Sequence, residues 1–229
     1  MFRVTIVLSL WLIMIPVTVL AEDHLADILE GIRTNYGELP GLTVSYKREV
    51  ITKTMAMLGD QVKGDLATGK MYFKPPNFLK LKQETPEQEF VISNEETLWW
   101  YIPHQKRAYK YSALEFGKEL RLLSEIFRGL IQVEERFQVS MHKPNEQGEN
   151  QIELMPNPPW QNIDRIILTV TKKHDIRMVG IHYQLGATTI FTLNDITEEK
   201  GFEKDFFTFT VPEGVLLVEE KGYNAEIVE

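Results

Sequence analysis

From Asp23 onward, Leu25, Ile28, Leu29, Ile32 and Tyr36 recur at i, i+3, i+4, i+7 and i+11, which gathers them on one face of a helix. Asp23 stands where an N-cap belongs, Gly37 where the helix would stop, and Pro40-Gly41 ends the segment. A second stripe, Phe116, Leu120, Leu123, Phe127 and Leu130, follows Ser112-Ala113-Leu114-Glu115, which has the Ser-x-x-Glu form of a capping box. Lys118, Arg121, Glu125 and Arg128 fall largely elsewhere around that axis. Taken alone, each stripe reads as an ordinary core seam.

Elsewhere the period changes to two. Leu42, Val44 and Tyr46 alternate with Thr43, Ser45 and Lys47, a half-buried strand. Between Gly69 and Pro103 three short alternating strands are expected, with Leu79 and Leu81 opposite Lys80 and Lys82, and with Leu98, Trp100 and Ile102 opposite Trp99 and Tyr101. Residues 137–143, 150–155, 164–172, 176–185 and 187–196 read as further strands, and Phe206 to Val211 as the last, closed by Pro212-Glu213-Gly214. So many consecutive hairpins predict an α+β fold, one large antiparallel meander curled by its own twist. Two amphipathic helices laid in the hollow would make it an incomplete half-barrel with an apolar interior. A greasy concave face without acid–base chemistry suits a protein that holds a lipid.

The first residues bear on compartment. Arg3, the apolar run from Val4 to Ile15, Pro16 and the Val19-Leu20-Ala21 end have the order of a secretory signal peptide, with cleavage expected after Ala21. An uncleaved anchor is the competing reading, because Val4 to Leu20 approaches spanning length. The chain has no cysteine, which excludes a disulfide, a thiolate metal site, a thiol nucleophile and an N-terminal lipidated Cys. Its net charge is −8, and becomes −9 once Arg3 leaves with residues 1–21. An acidic surface argues against nucleic acid and against a polybasic membrane mode. No repeat or low-complexity linker marks a boundary, so residues 22–229 read as one domain with an acidic tail from about 217 to 229.

Catalytic motifs are missing from the sequence: there is no Gly-x-Ser-x-Gly, no His-Glu-x-x-His and no phosphate loop. His24, His104, His142, His174 and His182 are dispersed, and Glu134-Glu135 and Glu198-Glu199 read as solvated charge. Asp164, Asp175 and Asp195 fit strand ends and turns. Neither an enzyme, a cofactor nor a metal is expected.

Three segments carry a resemblance. Gly69-x-Met71-Tyr72-Phe73-Lys74-x-Pro76-Asn77-x-Leu79, Val91-Ile92-Ser93-Asn94-x-x-Thr97-Leu98-Trp99-x-Tyr101-x-Pro103 and Phe207-x-Phe209-x-x-Pro212-x-Gly214-Val215 are similar, in order and spacing, to signatures of the periplasmic outer-membrane lipoprotein carrier (LolA-type) family. The resemblance implies a half-barrel with a helical lid over an apolar cavity. It implies a monomeric periplasmic carrier that accepts acylated lipoproteins from an inner-membrane ABC transporter, shields their acyl chains and passes them to an outer-membrane acceptor. Relatives of that fold carry phospholipid, glycolipid or other lipid, or sense lipids or lipoproteins, and these stand as alternatives. On this resemblance the lipid-lining residues are Leu25, Leu29, Ile32, Val44, Tyr46, Met71, Phe73, Leu79, Leu81, Trp100, Leu120, Leu123 and Phe127. The family has an Arg, implicated in handing cargo forward, where this chain has Pro75; Lys74 and Pro75 are therefore the candidate hand-over position, although a point charge does not reproduce a guanidinium fork.

Overall fold

The computed structural model describes residues 18–57, 63–113 and 118–219. The signal-peptide residues before Thr18, the capping-box residues Leu114 and Glu115, Phe116, and the tail beyond Glu219 lie outside them. Helix α1 (Thr18–Tyr36) leads into β1 (Leu42–Ile51), a short α2 (Lys53–Met57), then β2 (Asp65–Lys74), β3 (Phe78–Thr85), β4 (Glu89–Ser93), β5 (Thr97–Ile102) and β6 (Arg107–Ser112). Helices α3 (Lys118–Phe127) and α4 (Val133–Arg136) follow. Next come β7 (Phe137–His142), β8 (Asn150–Pro156), β9 (Ile163–Val170), β10 (Ile176–Tyr183), β11 (Thr188–Glu198) and β12 (Leu216–Glu219). No helix among the described residues is long and apolar enough to cross a membrane.

These strands form a single open sheet of twelve, in the order β12-β6-β5-β4-β3-β2-β1-β11-β10-β9-β8-β7. Strand β1 is central: β2 to β6 meander outward on one side, and β11 back to β7 lie on the other. Every pairing is antiparallel except β12 beside β6. Because β6 and β7 lie towards opposite edges, the chain between them must cross the whole sheet. Helix α3 belongs to that crossover, which is why it lies in the hollow.

Both helices end on glycine. After α3, Gly129 (φ 76°) donates its N–H to the Ile126 carbonyl and Leu130 N–H reaches the Glu125 carbonyl, both at 3.0 Å. This is the paired bonding of a left-handed glycine cap, and it turns Leu130 back into the core. Gly37 N–H closes α1 on the Arg33 carbonyl at 2.7 Å. A Cβ on Gly129 would stand 3.0 Å from Gly37 N, so the two helix ends pass at close quarters where a larger residue would crowd them.

Several expectations need correction. Helix α1 starts at Thr18, so Asp23 lies inside it rather than capping it. Four strands, not three, run through 65–102. Ser112 ends β6, pairing with Thr97, directly before helical Ala113, and the rest of the expected capping box lies outside the described residues. Phe206 to Val211 is not a strand: Phe206 N–H bonds to the Glu203 carbonyl and Thr208 N–H to the Asp205 carbonyl, turn bonds that pair with no ladder. Instead, this segment straps the outer face of the sheet. Phe206 packs on Tyr72 at 5.1 Å between ring centroids, Phe207 on Phe78 at 5.7 Å, and Phe209 on both Trp99 and Tyr101 at 5.2 Å. Lys80 Nζ lies 4.2 Å from the Phe206 ring centroid and donates to the Phe206 carbonyl. Leu216–Glu219, a stretch that includes the start of the expected acidic tail at about 217, covers the β6 edge as a parallel strand.

Candidate functional site

The ladder register decides which side chains face the hollow. Val44 stands opposite Met71, Met71 opposite Leu81, Leu81 opposite Val91, and Val91 opposite Trp100. Leu42, Phe73 and Leu79 form the next row. On the other side of β1, Phe191, Val179, Leu168 and Ile152 align in the same way. Side chains two apart on a strand share a face, so these rows make one apolar wall.

Helices α1 and α3 fill the space in front of it. Ile28, Leu29, Ile32 and Tyr36 from α1, with Leu122, Leu123, Ile126, Phe127 and Leu130 around α3, are 0–4% exposed and belong to one core cluster with the wall. Phe127 lies against Phe73, ring centroids 5.8 Å apart. Each amphipathic stripe thus has its apolar face turned to the sheet.

The two helices are held differently. Tyr36 Oη accepts the Ile176 N–H at 3.0 Å, and Asn35 Nδ2 donates to the Lys173 carbonyl at 2.8 Å. Arg33 Nη2 donates to Glu134 at 3.0 Å. A Cβ on Gly31 would overlap the His174 ring, so glycine there lets the β9–β10 turn close over α1. Burial pushes the Tyr36 phenol up to about 12 despite the Ile176 hydrogen bond. Helix α1 is therefore tied by directional bonds to β10 and the turn before it, whereas the buried face of α3 meets the sheet by apolar packing. Each helix also has an ion pair to α4, Arg33–Glu134 and Glu125–Arg136.

Of the residues expected to line the hollow, Leu29, Ile32, Val44, Tyr46, Met71, Phe73, Leu79, Leu81, Leu123 and Phe127 lie in the core cluster, and Leu25 and Leu120 pack against it. Trp100 shares the wall face but lies outside the cluster: it donates Nε1–H to Glu89 at 2.8 Å and stacks on Tyr109 at 5.3 Å. Lys74 sits in β2 on the same face as Tyr72, the outer one, exposed, with Nζ 5.7 Å from the Phe78 ring centroid. Pro75 is half-buried in the turn that follows.

Sequence reading missed a polar patch on the wall. Arg48, two residues beyond Tyr46, reaches over the small Ala67 of β2 to donate Nη2–H to Gln83 Oε1 at 3.0 Å, while its buried Nε has no hydrogen-bond partner. Gln83, 6% exposed, donates in turn to the Glu87 carbonyl. Burial pushes the Tyr46 phenol up to about 12, with the Arg48 charge pulling the other way. The sequence signal was a lone Arg in phase with Leu42, Val44 and Tyr46. Among the described residues, no group of three or more His, Cys, Asp or Glu is placed to hold a metal ion.

Residues 57–210, from the end of α2 through the aromatic strap, match the family model described as outer membrane lipoprotein carrier protein LolA. The outer-membrane lipoprotein carrier protein of Photorhabdus laumondii is 22% identical over 196 residues, covering 86% of this chain and 90% of that one. Its counterpart in Yersinia pestis is 21% identical over 202 residues, 88% and 93% of the two chains. Among solved structures, an uncharacterized conserved protein from Thermus thermophilus superposes with a TM-score of 0.53 at 9% identity, covering 86% of this chain and 99% of that one, which is a likeness of fold.

Proposed function

The chain belongs to the outer membrane lipoprotein carrier (LolA) family, and from that premise we propose that it accepts acylated lipoproteins released from the inner membrane by an ABC transporter and delivers them to an outer-membrane acceptor. The observation that carries this reading is the hollow: a twelve-stranded sheet whose apolar wall is covered by helix side chains rather than by a second sheet. Covering of that kind can be exchanged. An acyl chain in water is disfavoured by about 0.8 kcal/mol per CH₂, on the order of 10 kcal/mol for one long chain, so it does not leave a bilayer unaided. A carrier must offer an equivalent apolar surface and then give the cargo up.

On this reading α3 is the moving lid, because Leu122, Leu123, Ile126 and Phe127 meet the sheet by apolar packing, and α1 stays in place. The exported form begins at Glu22 after removal of residues 1–21, retains the part of α1 that carries the apolar stripe, and works in the periplasm as a single-domain monomer. Leu79, Leu81, Phe73 and Met71 of the wall and Leu123 and Phe127 of the lid are the surfaces that would meet acyl chains. The test is a release assay: membranes carrying radiolabelled lipoprotein are incubated with the 22–229 protein, ATP and the transporter. Acylated lipoprotein should appear in the supernatant bound to this protein. Release that is independent of it would overturn the proposal.

A further inference from the structure

At the rim of the hollow, between the polar face of α3 and the turns at 75–77 and 94–95, lies a pocket of about 170 Å³. Three arginines line it, Arg121, Arg128 and Arg136, although Asp and Glu outnumber Lys and Arg by 33 to 25 over the whole chain. Two carboxylates oppose them, Glu95 and Glu125. Glu125 is already engaged, taking Arg136 Nη1 at 2.7 Å. Arg121 also has a partner, whereas Arg128 makes no ion pair or side-chain hydrogen bond among the described residues. Ser93 and Ser124, 4% and 2% exposed, also line the pocket, but their hydroxyls donate to the Asn94 and Leu120 carbonyls, so the arginines are its available charged donors.

The position matters as much as the charge. Leu120 both lines this pocket and packs against the core of the hollow, so the pocket adjoins the apolar compartment across one side chain. One helix therefore presents apolar side chains to the hollow and guanidinium groups to its rim. An amphiphile whose tails take the place of the α3 side chains on the wall would bring its head to the arginines that α3 carries. Guanidinium forks match the geometry of a phosphate oxyanion, and their strength there exceeds that of neutral hydrogen bonds.

We propose that this pocket is a headgroup site for a phosphate-type oxyanion, and that the hollow takes phosphate-bearing lipid in addition to the acyl groups of lipoproteins. The proposal rests on the reading that the hollow binds acyl chains. It is tested with a pair of ligands that share tails and differ in the head: dihexanoyl phosphatidate and dihexanoylglycerol, each titrated below its micelle concentration against the delipidated 22–229 protein. Phosphatidate should bind at least tenfold more tightly, with a preference that shrinks as salt is added. In the double variant Arg121→Gln/Arg128→Gln that preference should vanish while the dihexanoylglycerol affinity stays at the wild-type value. Arg128→Lys, which keeps the charge and loses the fork, should retain an intermediate preference. Inorganic phosphate should compete with phosphatidate and leave dihexanoylglycerol binding unchanged. Equal affinity for the two lipids, or a preference that survives in the double variant, would overturn the headgroup site. Binding of inorganic phosphate with no gain for phosphatidate would reassign the pocket to free phosphate and overturn it equally. Failure of both lipids to bind would refute the acyl-binding reading beneath it.

Discussion

Phe127→Ala separates a lid from an ordinary core helix. Five side chains around α3, Leu122, Leu123, Ile126, Phe127 and Leu130, are almost wholly buried against the hollow. At roughly 1.5–3 kcal/mol each they contribute about 8–15 kcal/mol of gross attraction. One long acyl chain brings on the order of 10 kcal/mol, so lid and cargo compete for the wall on nearly equal terms. Phe127, 1% exposed and packed on Phe73, loses about 3–5 kcal/mol of closed-state packing when cut to Ala. If contact with the bound chain restores half of that side chain's burial in the loaded state, the net gain to the ligand is about 2 kcal/mol, roughly 30-fold in affinity. The assay is titration with a fluorescent fatty acid at a temperature where both proteins are folded by circular dichroism. Leu168→Ala is the control: Leu168 is fully buried in β9, on the wall and not on the lid, and its truncation lowers stability by about 2–5 kcal/mol. The expected result is tighter binding in Phe127→Ala and no tightening in Leu168→Ala. Weaker or unchanged binding in Phe127→Ala would show that α3 is fixed core and refute competition.

Tyr36→Phe removes the acceptor of the buried Ile176 N–H and should lower stability by about 1–3 kcal/mol in urea unfolding, without tightening fatty-acid binding, since α1 stays in place. Gly69→Ala should destabilise more: a Cβ there would overlap the Lys82 carbonyl, backbone that cannot swing aside, and failure to lose at least about 2 kcal/mol would mean the bulge at Thr68/Gly69 is soft. Alkali gives a fourth expectation. Both Tyr36 and Tyr46 have phenols raised from 10.0 to about 12, so the folded state holds their protons more tightly than the unfolded state does. Their contribution is complete below about pH 10 and is lost as pH rises through about 12. Stability measured by urea unfolding should therefore fall across that window, and less steeply in the double variant Tyr36→Phe/Tyr46→Phe.

Much of the fold was legible because two periods dominate the sequence. Leu25 to Tyr36 at helical spacing and Leu42, Val44 and Tyr46 at strand spacing both report the face that the structure buries. The failures share a different cause. Phe206, Phe207 and Phe209 look like strand residues, yet their partners are aromatic rings on neighbouring strands of the outer face, and nothing local distinguishes such a strap from a ladder. Leu216 and Leu217 are exposed at 57% and 40%, so β12 leaves no burial pattern; it is recruited by the open backbone of β6. The Arg48–Gln83 contact joins residues 35 apart over an intervening strand, and the rim pocket gathers α3 with two remote turns. Stripes are local and can be read; juxtapositions across the sheet depend on topology.

The central claim is that the hollow holds acyl chains of lipoproteins, and it is met most directly by native mass spectrometry of the protein isolated gently from its own periplasm, with extraction of whatever is bound. A one-to-one complex whose added mass matches an acylated lipoprotein, lost in Leu123→Glu while that variant remains folded, is the expected result. Protein that emerges free of any acylated species, from cells whose lipoproteins reach the outer membrane normally, would contradict it.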